Sequence, residues 1–370
     1  MDTASGRHRT RGVDGGEIDA DLDVLMVPLP GSYSDELVAE LESRGVSVET
    51  REGFFRILSG IYHEGVPDVV HLHFLGQFVS RTRYDTVLVP LLFGARLLVE
   101  LLVAKALGVR LVWTVHNLYR HEAKHPRVER GFRHLTARLV DRLIVHCDTA
   151  ADIIVDEYRL PPEIRAKIRT VPHGNYLPRY PDEIDDDEAR RRLGVDDETR
   201  TLLYFGHIRW YKNVDGLIET FKRIDDPDAE LLVVGNPFDD EIEATVSSLA
   251  AGDDRIRTVL EFVPDEEIQT YMRAADVVVL PFNDVLTSGS LILGMTFERP
   301  VVAPDTGCAG ELLDEAGGFP YDPADPDGLE RSLRSALDAD LSGMGAYNFE
   351  TVEPLDWSWI GRRTVEIYTE

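Results

Sequence analysis

Short apolar runs rich in Val, Leu and Ile alternate along this chain with longer stretches in which apolar residues recur every three or four positions. The first pattern fits strands buried on both faces and the second fits helices that cover them, which together describe parallel sheets built from β-α-β crossovers. In the first half, strands are expected in DVLMVPL from Asp23, VPDVVHLHF from Val66, RLVWTVHN from Arg110, DRLIVHC from Asp141 and IRTVPHG from Ile168. Residues 176–200 turn polar, with Pro178, Pro181 and the run Asp185-Asp186-Asp187-Glu188, and read as a linker. The alternation restarts with TLLYFGHI from Thr201, AELLVVGNP from Ala229, RIRTVLEFVP from Arg255, DVVVLPF from Asp276 and PVVAP from Pro300. A last segment carries Trp357, Trp359, Ile360, Val365 and Tyr368 at helical spacing, and is expected to pack back across both halves. The expected organisation is a disordered leader (1–20), a first doubly wound unit (21–175), the linker (176–200), a second unit (201–345) and a closing helical segment (346–370).

The most apolar stretch, Thr86–Trp113, is interrupted by Arg96, Glu100, Lys105 and Arg110, so it reads as a core helix followed by a strand and not as a membrane span. Residues 1–20 contain no apolar run, so no signal peptide is expected and a cytoplasmic location follows.

Charge changes the picture. Against 67 Asp and Glu stand 39 Lys and Arg, a net of −28, and the only lysines are Lys105, Lys124, Lys167, Lys212 and Lys222. Acid spread along the whole chain with arginine in place of lysine reads as adaptation to a hypersaline cytoplasm, and it leaves no basic footprint for nucleic acid. Cys147 and Cys308 lie far apart without C-x-x-C or Cys/His ligand spacing, so neither a disulfide nor a zinc site is expected, and no metal is called for.

In open parallel sheets, ligands sit beyond the carboxyl ends of the strands. Gly206-His207-Ile208-Arg209-Trp210-Tyr211-Lys212-Asn213 occupies such a junction: Gly206 lets backbone approach a ligand, while Arg209 and Lys212 supply cations for a diphosphate. Its plainer reading is a solvated turn paired with the acidic surface. Thr287-Ser288-Gly289-Ser290 precedes the apolar helix LILGMTF and offers hydroxyls and N–H groups at a helix start, although a Ser there also serves as a simple N-cap. Phe262-Val263-Pro264-Asp265 ends another strand, where the backbone at Val263 is open to a nucleobase and Asp265 reads as a helix cap. In the first half, Gly31 and Ser32 follow the first strand, and His116 ends the central one, where it can donate to a hydroxyl or accept a proton. His71 and His73 read as structural, and His173 as close to the cleft. Arg120, Lys124, Arg127, Arg130, Arg133, Arg138 and Arg142 reverse the local sign of charge, which suits either a solvated helix or a docking face for an anionic, lipid-linked acceptor at the inner face of the membrane.

GHIRWYKN, VVGN, FVPDEEIQTYMRAADVVVLPF and TSGS followed by FERPVVAP, in this order, resemble the donor domain of GT-B glycosyltransferases of family 4. The resemblance implies two facing Rossmann-like domains with a C-terminal crossover helix. It also implies metal-independent, usually retaining transfer of a hexose from a nucleotide-diphospho sugar to a glycan or lipid-linked acceptor, without a cofactor. It places the donor pyrophosphate on Gly206, Arg209 and Lys212, the nucleoside or sugar near Gly235, Val263 and Asp284, the loop of Gly31 and Ser32 facing the donor, and His116 beside the transferred sugar. Two glutamates usual in the family correspond here to Val285 and Leu293, with Asp284 a candidate replacement for one. A non-catalytic nucleotide-sugar-binding subunit and a nucleotide-sugar epimerase are the competing readings. A nicotinamide dehydrogenase is set aside because no G-x-G-x-x-G follows either first strand.

Overall fold

The computed structural model describes residues 21–27, 31–51, 55–76, 86–119, 125–283 and 285–370. The expected leader, together with Arg120, Lys124 and Asp284, lies outside them. Twelve strands form two six-stranded parallel sheets. The first holds β1 (Leu22–Val27), β2 (Val46–Thr50), β3 (Val69–Leu72), β4 (Arg110–Thr114), β5 (Arg142–Val145) and β6 (Ile168–Thr170), ordered β2-β1-β3-β4-β5-β6. The second holds β7 (Arg200–Phe205), β8 (Ala229–Val234), β9 (Ile256–Val259), β10 (Val277–Val279), β11 (Val301–Pro304) and β12 (Gly318–Tyr321), ordered β12-β11-β10-β7-β8-β9.

The first-half helices are α1 (Ser32–Ser43), α2 (Arg56–Glu64), α3 (Leu88–Ala106), α4 (Pro126–Leu139) and α5 (Asp148–Glu157). Then follow α6 (Asp186–Leu193), α7 (Val214–Lys222), α8 (Asp240–Ala250), α9 (Ile268–Ala274), α10 (Gly289–Thr296), α11 (Gly307–Leu312), α12 (Gly328–Asp338), α13 (Met344–Val352) and α14 (Trp357–Thr369). Successive strands step outward in one direction and then reverse, and that reversal leaves a crevice at the carboxyl ends. In the first sheet the reversal falls between β1 and β3, and in the second between β7 and β10.

Strand faces alternate, so each sheet buries both sides. Leu25, Val27, Val70, Leu72, Leu111 and Trp113 pack under Leu97, Leu101 and Ala137 of α3 and α4, while Val24, Met26, Val112 and Ile144 face Leu37 and Leu41 of α1 with Ile360 and Val365 of α14. The C-terminal helix is therefore a structural part of the first lobe. Trp357 Nε1 donates to the Asn175 carbonyl at 2.7 Å, and Arg142 and Arg169 pair with Glu370. The preceding α13 stays on the second lobe, where Asn348 Nδ2 donates to the Arg299 and Gly317 carbonyls.

Two sequence expectations are corrected here. The polar stretch after Asn175 contains α6, capped by the Asp185 carboxylate accepting from the Glu188 N–H, and Arg190 is buried with its guanidinium donating to the Asp196 and Thr199 carbonyls. Cys147 and Cys308 form a disulfide with Cα atoms 5.4 Å apart, which joins the end of β5 to the start of α11 across the two lobes. The two cysteines are 161 residues apart in the chain, and only the apposition of the lobes brings them together.

Candidate functional site

The two reversal points face each other across a cavity of about 250 Å³. From the first lobe it is lined by Tyr33, Phe74, His116 and Asn117, from the connection by His173 and Tyr176, and from the second lobe by Tyr211, Lys212, Phe282, Val285, Leu286 and Thr287–Ser290.

On the second lobe, Gly206 ends β7 at φ 135°, a conformation that disfavours any side chain. A Cβ there would lie 3.2 Å from Ser290 Oγ and 3.3 Å from Lys212 Nζ, so the ammonium and the hydroxyl converge on the bare glycine. The turn is held in place by Asn213, at φ 55°, whose Nδ2 donates to the Pro281 carbonyl at 3.1 Å, and by the Asn283 N–H donating to the Tyr211 carbonyl. The stretch after β7 is thus stitched to the stretch after β10. Burial, with the charge of Arg209 added, lowers the Lys212 ammonium to about 8, so it stays mostly cationic at neutral pH and gains from an anionic ligand.

Ser288 is the N-cap of α10, its Oγ accepting from the Leu291 N–H at 3.2 Å. The capping reading of the TSGS segment therefore holds for Ser288. The next two N–H groups, of Gly289 and Ser290, have no acceptor among the described residues and stand at the positive end of the helix. Gly289 is glycine because a Cβ would meet the Tyr176 hydroxyl at 2.6 Å.

Other expected residues are placed differently. Arg209 does not line the cavity; its guanidinium lies 4.2 Å from the Phe238 ring centre. Gly235 abuts the Gly206 carbonyl so closely that a Cβ would sit 1.8 Å from it, which explains the glycine by strand-end packing. Neither Gly235 nor the buried Val263 is part of the cavity wall. Asp265 caps no helix and instead pairs with Arg179 at 3.2 Å. Gly31 is exposed, and Ser32 hydrogen-bonds with Tyr176 and Tyr180, leaving Tyr33 as the residue of that loop in the wall.

The first-lobe wall is a cluster of histidines around Tyr33, whose ring lies 4.9 Å from both His116 and His173 and 5.3 Å from His146. A carbonyl can only accept, so His146 Nδ1–H donates to the Val171 oxygen at 2.9 Å and its Nε2 becomes an acceptor. That nitrogen takes the His116 Nδ1–H at 3.2 Å, and His116 Nε2 in turn accepts from His73 Nδ1 at 3.0 Å. The chain ends at His73 Nε2, buried without a partner. His71 sits beside it, bonded to the Tyr368 hydroxyl and Thr114 Oγ1, each at 2.7 Å. Burial lowers every one of these imidazoles, His71 and His146 to about 3 and His173 to about 4, with His73 and His116 well below the ordinary range. His116 is therefore neutral, stacked on Phe74 at 4.5 Å, and committed through both nitrogens, which replaces the expectation of a histidine titrating near neutral pH.

The basic run divides. Arg133 is buried against Tyr119 and Tyr158 and paired with Glu129, and Arg130 reaches Glu157 at 3.9 Å, while Arg127 and Arg138 are exposed. Among the described residues, no group of three or more His, Cys, Asp or Glu is arranged to hold a metal ion, and no helix is long and apolar enough to cross a membrane.

A fold of two apposed doubly wound lobes, with the reversal points of both sheets at one shared cleft, defines the GT-B class. Residues 51–175 match the model of Glycosyltransferase Family 4 and residues 199–339 that of Glycosyl transferases group 1, and the chain belongs to this family of group 1, GT-B glycosyltransferases. It is 30% identical over 251 residues to a GDP-mannose:glycolipid 4-beta-D-mannosyltransferase of Xanthomonas campestris pv. campestris, covering 68% of this chain and 65% of that protein. It is 29% identical to a D-inositol 3-phosphate glycosyltransferase of Geodermatophilus obscurus, covering 84% of this chain and 66% of the relative. The chain thus spans about two thirds of the length of these relatives. Sucrose-phosphate synthase from Thermosynechococcus elongatus superposes with a TM-score of 0.71 at 18% identity, covering 94% of this chain and 98% of that one. Anabaena HepE in complex with UDP-glucose superposes at 0.68 and 15%, covering 94% and 99%. These two likenesses show the fold.

Proposed function

We propose that the chain transfers a hexosyl group from a nucleotide-diphospho sugar to a glycan or lipid-linked acceptor, without a metal ion. The observation that carries this reading is the convergence of Lys212 Nζ and Ser290 Oγ on Gly206 at the mouth of α10. As the bond between the anomeric carbon and the β-phosphate oxygen breaks, negative charge grows on the departing diphosphate. A buried ammonium and two oriented N–H groups stabilise that charge more than they stabilise the intact donor. The lobes enclose the site and keep water from the anomeric carbon. His116, neutral and fixed on Phe74, shapes the sugar side of the cavity. The similarity to a GDP-mannose-dependent enzyme makes GDP-mannose the first donor to test.

Retention of anomeric configuration is the outcome that the family resemblance implies. A second reading, inversion, is favoured by one observation: the Xanthomonas relative is named for a β-mannoside, which an α-linked GDP-mannose yields only by inversion. Proton NMR of the product's anomeric signal separates the two.

The test of the activity is incubation with GDP-mannose or UDP-glucose and a lipid-linked saccharide, following both nucleoside diphosphate release and acceptor mass. A hexose added to the acceptor supports transfer. An isomerised sugar nucleotide with the acceptor untouched identifies an epimerase, and tight donor binding with neither product identifies a binding subunit.

A further inference from the structure

We infer that the outer face of α3 seats the protein on an anionic lipid bilayer. Over its 19 residues, about 28 Å of helix, α3 exposes Leu88, Leu91, Leu92, Val99, Leu102 and Val103, with Leu92 60% and Leu88 59% accessible. These positions recur at helical spacing and form one continuous stripe. The two charges in the middle of the helix turn the other way. Glu100 is fully buried, accepting from the Ile57 and Leu58 N–H groups at 2.8 and 3.2 Å and pairing with Arg96 at 3.4 Å. This is the reverse of a water-facing helix, which hides its apolar side and exposes its charges. The sequence reading of this stretch as a core helix is corrected accordingly: it is apolar on both sides, and only one of them is covered by the described residues.

The flanks identify what covers the other. α4 packs against α3 so tightly that a Cβ on Gly94 would meet the Phe132 ring at 2.3 Å, and it presents Arg127, Leu135 and Arg138 outward. On the far side, α2 presents Tyr62, 83% accessible. In a chain with a net charge of −28, an apolar stripe edged by arginine complements a plane of anionic headgroups over a hydrocarbon layer. α3 and α4 follow β3 and β4, so their first turns lie at the edge of the sheet where Phe74 and His116 line the cavity. A lipid-borne acceptor would therefore reach the cleft from the surface the protein rests on. Docking needs no donor, so its failure and the failure of the transfer reading are separate results.

The experiment is flotation of the full chain with vesicles of phosphatidylcholine alone and of phosphatidylcholine with phosphatidylglycerol, with thermal melts and light scattering in parallel. The wild type is expected to float with the anionic vesicles. Leu91→Ser, Leu92→Ser and Val99→Ser combined should weaken that binding on the order of tenfold or more with an unchanged melt. Arg127→Glu with Arg138→Glu should weaken it in dilute salt and less so in molar salt, where charges are screened beyond ~3 Å. No flotation of the wild type, equal flotation of the triple variant, or loss of a dimer on substitution without any vesicle binding would each overturn the inference.

Discussion

His146 holds His116 by a single directed hydrogen bond, the Nδ1–H of His116 donating to Nε2 of His146 at 3.2 Å, and the Val171 carbonyl beyond fixes which nitrogen carries the proton. The orientation of His116 is thus decided by a residue just past the next strand that does not itself line the cavity. Removing that acceptor should let His116 change tautomer and tilt off Phe74. His146→Ala is expected to lower kcat by about tenfold or more while the affinity for a nucleoside diphosphate stays unchanged. Steady-state kinetics and calorimetry on the same preparation check the split, and His146→Gln, which keeps an acceptor, should recover part of the rate.

Acid should unfold the protein early. The five clustered imidazoles are held neutral by burial, with His71 and His146 near 3 and His173 near 4 in the folded state, against an ordinary value of 6.5. Below that ordinary value the unfolded chain binds protons that the folded chain refuses, so stability is complete above about pH 6.5 and falls as pH drops. Each fully refused proton costs about 2 kcal/mol of stability at pH 5. Melting curves from pH 7.5 to pH 5 should show a steep fall in Tm, and a flat profile would mean that the cluster is already protonated or open to water.

The bridge between Cys147 and Cys308 ties the lobes beside the cavity, and Glu311 reinforces it by accepting from the Asp148 and Thr149 N–H groups at the start of α5. Reduction, or Cys308→Ser, is expected to cost about 2–4 kcal/mol of stability, as for a crosslink closing a long loop. It should also speed exchange of bound nucleotide, since the lobes lose a fixed tether. Denaturant titration and nucleotide release with and without reductant measure both effects.

Much of this architecture was legible along the chain because a strand buried on both faces declares itself locally. Ten strands fall in the apolar runs that the sequence marks. The two that escaped, β2 and β12, are sheet edges. VSVET is half exposed, and GFPY carries a Gly and a Pro, which an edge tolerates and a central strand does not. The second-lobe side of the cavity was legible because Gly206, Lys212 and Ser288–Ser290 lie in two compact turns. The aromatic part of the lining was not. Tyr33 at the start of α1, Phe74 after β3, Tyr176 in the connection between the lobes and Phe282 after β10 lie far apart in the chain, and no spacing links them. Cys147 and Cys308 hid in the same way. Hydropathy also cannot tell a helix buried all round from one with an apolar outer face, which is why α3 read as core.

The most direct measurement is calorimetric titration of GDP and UDP into the wild type and Lys212→Ala in concentrated salt at neutral pH. If Lys212, Ser290 and the α10 N–H groups form the diphosphate cradle, the wild type binds one of the two nucleotides. The variant should then lose affinity by about tenfold to a hundredfold without a change in melting temperature, as expected for a charge-assisted contact worth about 1.5–3 kcal/mol. Equal affinity in the two proteins, or a wild type that binds neither nucleotide, would contradict the cradle.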